Sequence, residues 1–534
     1  MTATLLRSTP ATPANPFAHH AALVGHSHFL RTGRHTFEET KQNLVAWART
    51  CHVRAFGLGS TWEPVSARNY WACETTRRDE YYAGRIPPES IMDRDAIAAF
   101  VADMNRLSNG ETLFYLDNET PKNRYGHLWY VGFDYQVPCW HDYGQDKRTA
   151  FWDGEHTPDL NALTGLPHRR RGYMEVVAKQ RAAGALAIWA HPTSWWWQDK
   201  NFTTNIAADM VPQLLADGFL DGMVVQGYDA FHRAYQALWF HLLDLGFKIP
   251  GYSEMDVSGD ISLDSLKHVL VNQIPTSPNS QIPKSLNQLI APLRASRHFM
   301  TSGPFLDITV DGNPSGSTLV ASPGACHNVA ITAFPAPGES CLSRVQLIGN
   351  GGVVLAEVEN FSGGILEIGI EVPQCGIYLL ARAIGEHDTP DMPQQKIKHC
   401  ALTNPVYLRT PDTPNPKPLA TRLTLLPPQA AHHDGAKFRV LTAAGEPLES
   451  GTLSNSEITL EVPASARFEI TCTNGQIRDI PLSMANPAVR EQMDYLADGH
   501  FLKDHPHCTA GEVPVEAFRV DAVREAMQNL RFAL

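Results

Sequence analysis

Residues 21–28 read Ala21-Ala22-Leu23-Val24-Gly25-His26-Ser27-His28: a short apolar run, a glycine, then two histidines one residue apart. An apolar run of this length bounded by turn signals is the pattern of a buried strand. On an extended backbone residues i and i+2 share a face, so His26 and His28 can reach one ion. Taken alone the pair is a weak signal in a chain with 23 histidines, and His19-His20 just upstream reads as a surface pair.

The other apolar runs change its weight. Thr112–Leu116 leads into Asp117-Asn118-Glu119, with Gly126-His127 soon after. Ala185–Ala190 ends at His191-Pro192, and Phe247–Tyr252 ends at Ser253-Glu254-Met255-Asp256. Each run delivers metal-ligand side chains at its carboxyl end, where sites form in parallel α/β folds. The expected cluster is therefore His26, His28, Glu119, His127, His191, Glu254 and Asp256.

From about residue 20 to 300 such runs, including Val53–Leu58 and Met223–Val225, alternate with amphipathic stretches such as Arg94–Leu107 and Ala230–Leu245. Strands alternating with helices predict an α/β domain over 19–302, preceded by a flexible segment, 1–18. Residues 303–409 change texture, with short runs (Leu306–Val310, Asn328–Thr332, Val345–Ile348, Ile377–Ala383) separated by Gly, Pro and Asn, which predicts a β-sandwich. The proline-rich 410–418 reads as a stiff linker. Residues 419–534 read as a small β module closed by an amphipathic helix, Val515–Phe532.

The ordered set resembles the PHP-type metallohydrolases, and more closely their CehA/McbA branch, which includes carbamate ester hydrolases. The resemblance rests on His26-Ser27-His28, Glu119 with Gly126-His127, Ala190-His191-Pro192, Gly251-Tyr252-Ser253-Glu254-Met255-Asp256 and Arg297-His298-Phe299-Met300-Thr301-Ser302-Gly303-Pro304, and spans residues 20–408. It implies a distorted (β/α)7-type barrel holding one to three divalent ions (Zn, Mn or Fe), with Glu119 as the bridging carboxylate. The chain departs from the family's pattern at three places. Gly59-Ser60-Thr61 stands where the family has Thr-Asp-His, Glu254 where it has Asp, and Asp256 where it usually has His.

A site of this kind activates water, with Glu119 central and either His127 or Asp256 handing a proton to the leaving group. The implied substrate is a small ester, carbamate, amide or carbohydrate-derived compound. Trp195, Trp196 and Trp197, just after His191, are candidate ring-stacking residues, and Arg297 is a candidate anion clamp. The same ligands suit a metal-dependent lyase or glycoside-cleaving enzyme, and a degenerate site suits a non-catalytic carbohydrate-binding scaffold.

The totals narrow the classes. A 43% hydrophobic, 19% charged chain of 534 residues has the composition of a globular protein with several domains. A net charge of −12 without a long basic run argues against a nucleic-acid surface, and no apolar stretch is long enough for a membrane span. Nine scattered cysteines without a C-x-x-C pair, and no secretory h-region, favour a reduced, cytoplasmic setting. An oligomer is compatible with all of this.

Overall fold

The computed structural model describes residues 3–10, 15–28, 37–59, 94–119, 127–134, 177–191, 214–215, 218–227, 232–244, 246–255, 257–258, 270–276, 282–388, 398–413, 420–425, 435–442, 445–452, 458–463, 467–471, 477–481 and 531–532. In chain order it opens with β1 (Ala3–Pro10), β2 (His20–Val24), β3 (Ser27–His28), α1 (Phe37–Thr50), β4 (Val53–Gly59), α2 (Arg94–Ser108) and β5 (Leu113–Glu119). There follow β6 (Leu128–Val131), β7 (Leu186–Trp189), β8 (Gly222–Gln226), α3 (His232–Asp244), β9 (Gly251–Ser253), β10 (Val257–Ser258), β11 (Val271–Pro275), α4 (Leu286–Arg294) and β12 (Phe299–Thr301).

These strands order as β12-β11-β2-β4-β5-β6-β7-β8-β9. β2, β4 and β5 run parallel, as do β7, β8 and β9. β6 is antiparallel to both neighbours, and so is β11. The runs are continuously apolar because both faces are covered. Leu44, Trp47 and Ala48 of α1 and Phe100 and Met104 of α2 share one core with Phe56 and Phe114 of the sheet. Leu289, Ile290 and Leu293 of α4 share another with Leu23, Ala55, Trp129, Ile188 and Tyr252.

The expected (β/α)7-type barrel is not what forms. Strands dominate, helices are few, and the path is open: among the described residues β9 pairs with neither β11 nor β12. Two antiparallel strands interrupt the β-then-α alternation that a barrel needs. The seam between β9 and β11 is bridged by a side chain, since Asn272 accepts from Ser253 N and donates to Ser253 O, both at 2.8 Å. Beside it, β10 and β3 make a separate two-stranded parallel piece.

The next strands are β13 (Phe305–Val310), β14 (Asn313–Pro314), β15 (Thr318–Val320), β16 (Cys326–Phe334), β17 (Leu342–Gly349), β18 (Val353–Phe361), β19 (Gly364–Glu371), β20 (Ile377–Asp388), β21 (Lys398–Thr403) and β22 (Val406–Arg409). One sheet orders β1-β19-β16-β13-β14; β17, β18, β20, β21, β22 and β15 belong to the large sheet, joined to the α/β strands where β12 pairs with β21. Leu306, Ile308, Val329, Ile331, Leu347, Leu366, Ile368 and Leu379 fill the space between the two layers. The far side of the second layer (Ile348, Tyr378, Leu380, Leu402) packs into the α/β core, so the two regions share one interior. Residues 3–10, expected to be a flexible lead, instead form an edge strand antiparallel to β19.

The C-terminal module has two small sheets built from β23 (Ala420–Leu425), β24 (Lys437–Leu441), β25 (Pro447–Thr452), β26 (Ile458–Pro463), β27 (Arg467–Thr471), β28 (Ile477–Pro481) and β29 (Arg531–Phe532), ordered β26-β23-β29 and β25-β24-β27-β28. The expected helix over 515–532 lies outside the described residues except for its last two, which are strand rather than helix because they pair with β23. The linker begins as a turn in which Thr410 and Thr413 bond each other, and 414–418 lie outside the described residues. No described helix is long and apolar enough to cross a membrane.

Candidate metal centre

Strand direction gathers the chemistry at one rim. β2, β5, β7 and β9 are all parallel, so His26, Glu119, His191 and Glu254, at or just past their carboxyl ends, emerge on one edge of the sheet. His127 precedes β6, and β6 runs the opposite way, which returns it to the same edge beside Glu119. The backbone departs from strand geometry there: His26 and His191 adopt positive φ, 56° and 26°. Residues other than glycine hold such angles at a cost, and sites are where such strain collects. The same-face argument for His26 and His28 therefore fails as framed, because the strand breaks at His26 rather than running through it. His28 lies on β3 beside Ser258, and its side chain is outside the described set.

Five side chains meet. His26 Nδ1 bonds Glu254 Oε2, and His26 Nε2 lies 3.3 Å from Glu119 Oε2. The other oxygen of Glu119 is 2.5 Å from His127 Nδ1 and 2.9 Å from His191 Nε2. Glu254 Oε1 accepts the main-chain N–H of His191 at 3.0 Å. Except for half-buried His127 the members are buried, and Trp129 stacks on the His26 ring at 6.2 Å.

Asp117 was not among the expected ligands, yet it shapes the site. Its Oδ2 accepts the N–H of His26 at 3.1 Å. Burial pushes its carboxyl up to about 7, against the opposing pull of Trp129 and His26. Gly57 makes room for it, since a Cβ there would sit 2.1 Å from Asp117 Oδ2. The available signal was spacing: Asp117 and Glu119 are two apart on one strand and share a face.

The donor set fits a divalent cation. Two trios, His26–His191–Glu254 and Glu119–His127–His191, each bring one ligand atom per residue within 4.8 Å of one another. Ligands about 2.1 Å from a tetrahedral ion stand roughly 3.4 Å apart, close to the 3.3 Å between His26 Nε2 and Glu119 Oε2. Buried carboxylates are expensive unless cations or hydrogen bonds offset them, and imidazole with carboxylate is chemistry that Zn, Mn and Fe all accept.

Asp256 and Trp195, Trp196 and Trp197 lie outside the described residues. Arg297 is exposed just before β12, whose Phe299 is level with Gln273 and hence with Ala22 on β2. That register puts Arg297 at the opposite end of the sheet from His26, away from the cluster. His20 is no surface histidine: it packs on Phe299 and Phe305, and burial lowers its pKa to about 4.

No family model matches the chain, and no curated protein does. Among solved structures, the BcpA major pilin subunit of Bacillus cereus is 13% identical at a TM-score of 0.15; the match covers 34% of this chain and 63% of the pilin's length. An engineered protein is 13% identical at 0.19, covering 72% of this chain and 86% of its own. An endo-β-1,4-mannanase double mutant from Cellulomonas fimi is 10% identical at 0.16, covering 70% and 82%. Likenesses this slight carry no argument about fold or function.

Proposed function

We propose that the chain is a divalent-metal-dependent hydrolase, similar to the PHP-type enzymes in its ligand set, acting on a small ester, carbamate, amide or carbohydrate-derived substrate. The observation that carries this reading is the convergence of His26, Glu119, His127, His191 and Glu254 at one rim. These residues would hold a divalent ion, which would supply Lewis acidity and would lower the pKa of a bound water toward 7.

The chain's own residues divide the remaining work. Glu119 faces imidazoles through both oxygens, His26 on one side and His127 and His191 on the other, so it is placed to tie the two trios together. Glu254 reaches His26 Nδ1 through Oε2 and the His191 main chain through Oε1, so it fixes the two histidines with which it forms one trio. His127 is the proton carrier: its side chain is 13% exposed against 1% for His26 and 5% for His191, so of these three imidazoles it is the one most open to substrate. Glu119 holds its Nδ1, as a carboxylate orients a catalytic base.

The test is chelation and restoration. Protein stripped of metal and reloaded separately with Zn, Mn or Fe is assayed on chromogenic carboxylate, carbamate, phosphate and glycoside esters. Activity that vanishes on stripping and returns with one ion supports the reading; activity indifferent to chelation, or purified protein that takes up none of the three, overturns it.

A further inference from the structure

Gln226 is the last residue of β8 and is 5% exposed. The ladder to β9 slips there: Val224 faces Tyr252 and Gln226 faces Ser253, so two steps along β8 match one along β9. A bulge of this kind re-aims the adjacent side chain and recurs beside functional sites.

Re-aimed, Gln226 joins three neighbours. Its main-chain carbonyl accepts the Glu254 N–H at 3.0 Å. Its side-chain oxygen accepts the Ser253 hydroxyl at 3.2 Å, and its Nε2 donates to the Cys400 carbonyl of β21 at 3.2 Å. Cys400 is itself fixed, its N–H donating to Ser302 Oγ at 2.9 Å. The next residue, Gly227, leaves the Glu254 carboxylate its space, for a Cβ there would lie 3.2 Å from Oε1.

β9 ends the strand path, so on its outer side it depends on side chains. Asn272 holds Ser253, and Asn404, between β21 and β22, accepts the Gly251 N–H at 2.7 Å. Two of the anchors on this strand pair, Cys400 and Asn404, thus belong to the β-sandwich. What they hold is the segment that delivers Glu254 to His26 Nδ1 and to the main chain of His191.

We infer that Gln226 is a positioning residue for Glu254, and that through it the β-sandwich sets where the His26 imidazole stands. A ligand constellation tolerates displacements of only about half an ångström before it loses function, so an anchor acting from one residue away is decisive. The consequence for metal binding rests on the hydrolase reading; the consequence for His26 does not.

The experiment uses the full chain with Gln226→Met, which keeps the side chain's volume and drops both of its hydrogen bonds. Nitrogen NMR of metal-free, histidine-labelled protein at neutral pH reads the ring nitrogens of His26, with His327 on the far sandwich sheet as reference. Zinc affinity is read by competition with a chromophoric chelator. The His26 signals are expected to move while His327 stays, and zinc affinity to fall about 10–100-fold, the usual cost of losing an outer partner. Unmoved His26 signals in a folded variant overturn the inference. Should Gln226→Met fail to fold, Gln226→Leu drops the same two bonds with a branched apolar side chain, and unmoved His26 signals there overturn it equally. If wild type takes up no zinc while the His26 signals still move in the variant, the hydrolase reading falls and the positioning role stands. Zinc that binds wild type and Gln226→Met alike, with His26 unmoved, does the reverse.

Discussion

Glu119 is the residue on which the cluster turns. It is 3% exposed and faces three imidazoles. Glu119→Gln keeps the shape and removes the charge, so bound metal measured by elemental analysis should fall by more than about 100-fold in affinity, beyond the loss seen for outer partners. Retained stoichiometric metal would remove Glu119 from the ligand set. His298 behaves oppositely. It is buried, hydrogen-bonded to the Gly251 carbonyl at 2.8 Å, and burial lowers its pKa to about 4. In the unfolded chain it takes up a proton near its ordinary 6.5, whereas in the folded chain it does so only near 4. Its contribution to stability is therefore complete above about pH 6.5 and is lost as pH falls toward 4, on the order of 3 kcal/mol across that window. Thermal unfolding from pH 7 to 4 should show the slope, and His298→Gln should flatten it; an equal slope in both proteins would contradict the assignment.

Among the elements, β2, β4, β5, β7 and β8 were legible because strands buried on both faces read as unbroken apolar runs. α2 and α3 were legible by their periodicity. β6 was missed: Leu128–Val131 carries Trp129 and Tyr130, and neither its burial on both faces nor its reversed direction leaves a mark in so short a segment. That reversal is what brings His127 back to Glu119, so the residue was legible and its route was not. Gly25 shows how closely elements meet at the site, since a Cβ there would fall 2.0 Å from Cζ2 of Trp129. A rigid indole cannot yield that distance, so Gly25→Ala should cost about 1–3 kcal/mol or more and lower the melting temperature. An unchanged midpoint in denaturant would contradict this packing.

At the scale of the whole molecule, the sequence announced a sandwich through its texture, but nothing local announced that β12 would pair with β21 and merge the two regions. Barrel closure failed as an expectation for the same reason: closure depends on which strands become neighbours, which runs of residues do not encode. One buried contact across the merged interior is titratable. Asp244, ending α3, accepts the Gly351 N–H at 2.7 Å, and burial raises its carboxyl to about 6 against the opposing pull of Gly351 and Tyr378. A raised carboxyl favours folding below its unfolded value of 3.8, and that benefit is lost as pH climbs through about 6. Asp244→Asn should match wild type near pH 3.5 and exceed it at pH 7.5 by about 2–3 kcal/mol in chemical denaturation. A gap that does not widen with pH would show that the contact carries no such cost.

The most direct measurement is anomalous diffraction from crystals of the full chain grown with zinc or manganese, collected above and below the metal's absorption edge. The expected result is a peak about 2.0–2.3 Å from imidazole nitrogen of His26 or His191 and from a carboxylate oxygen of Glu119 or Glu254. Density showing these side chains turned apart, with no anomalous peak among them, would contradict it.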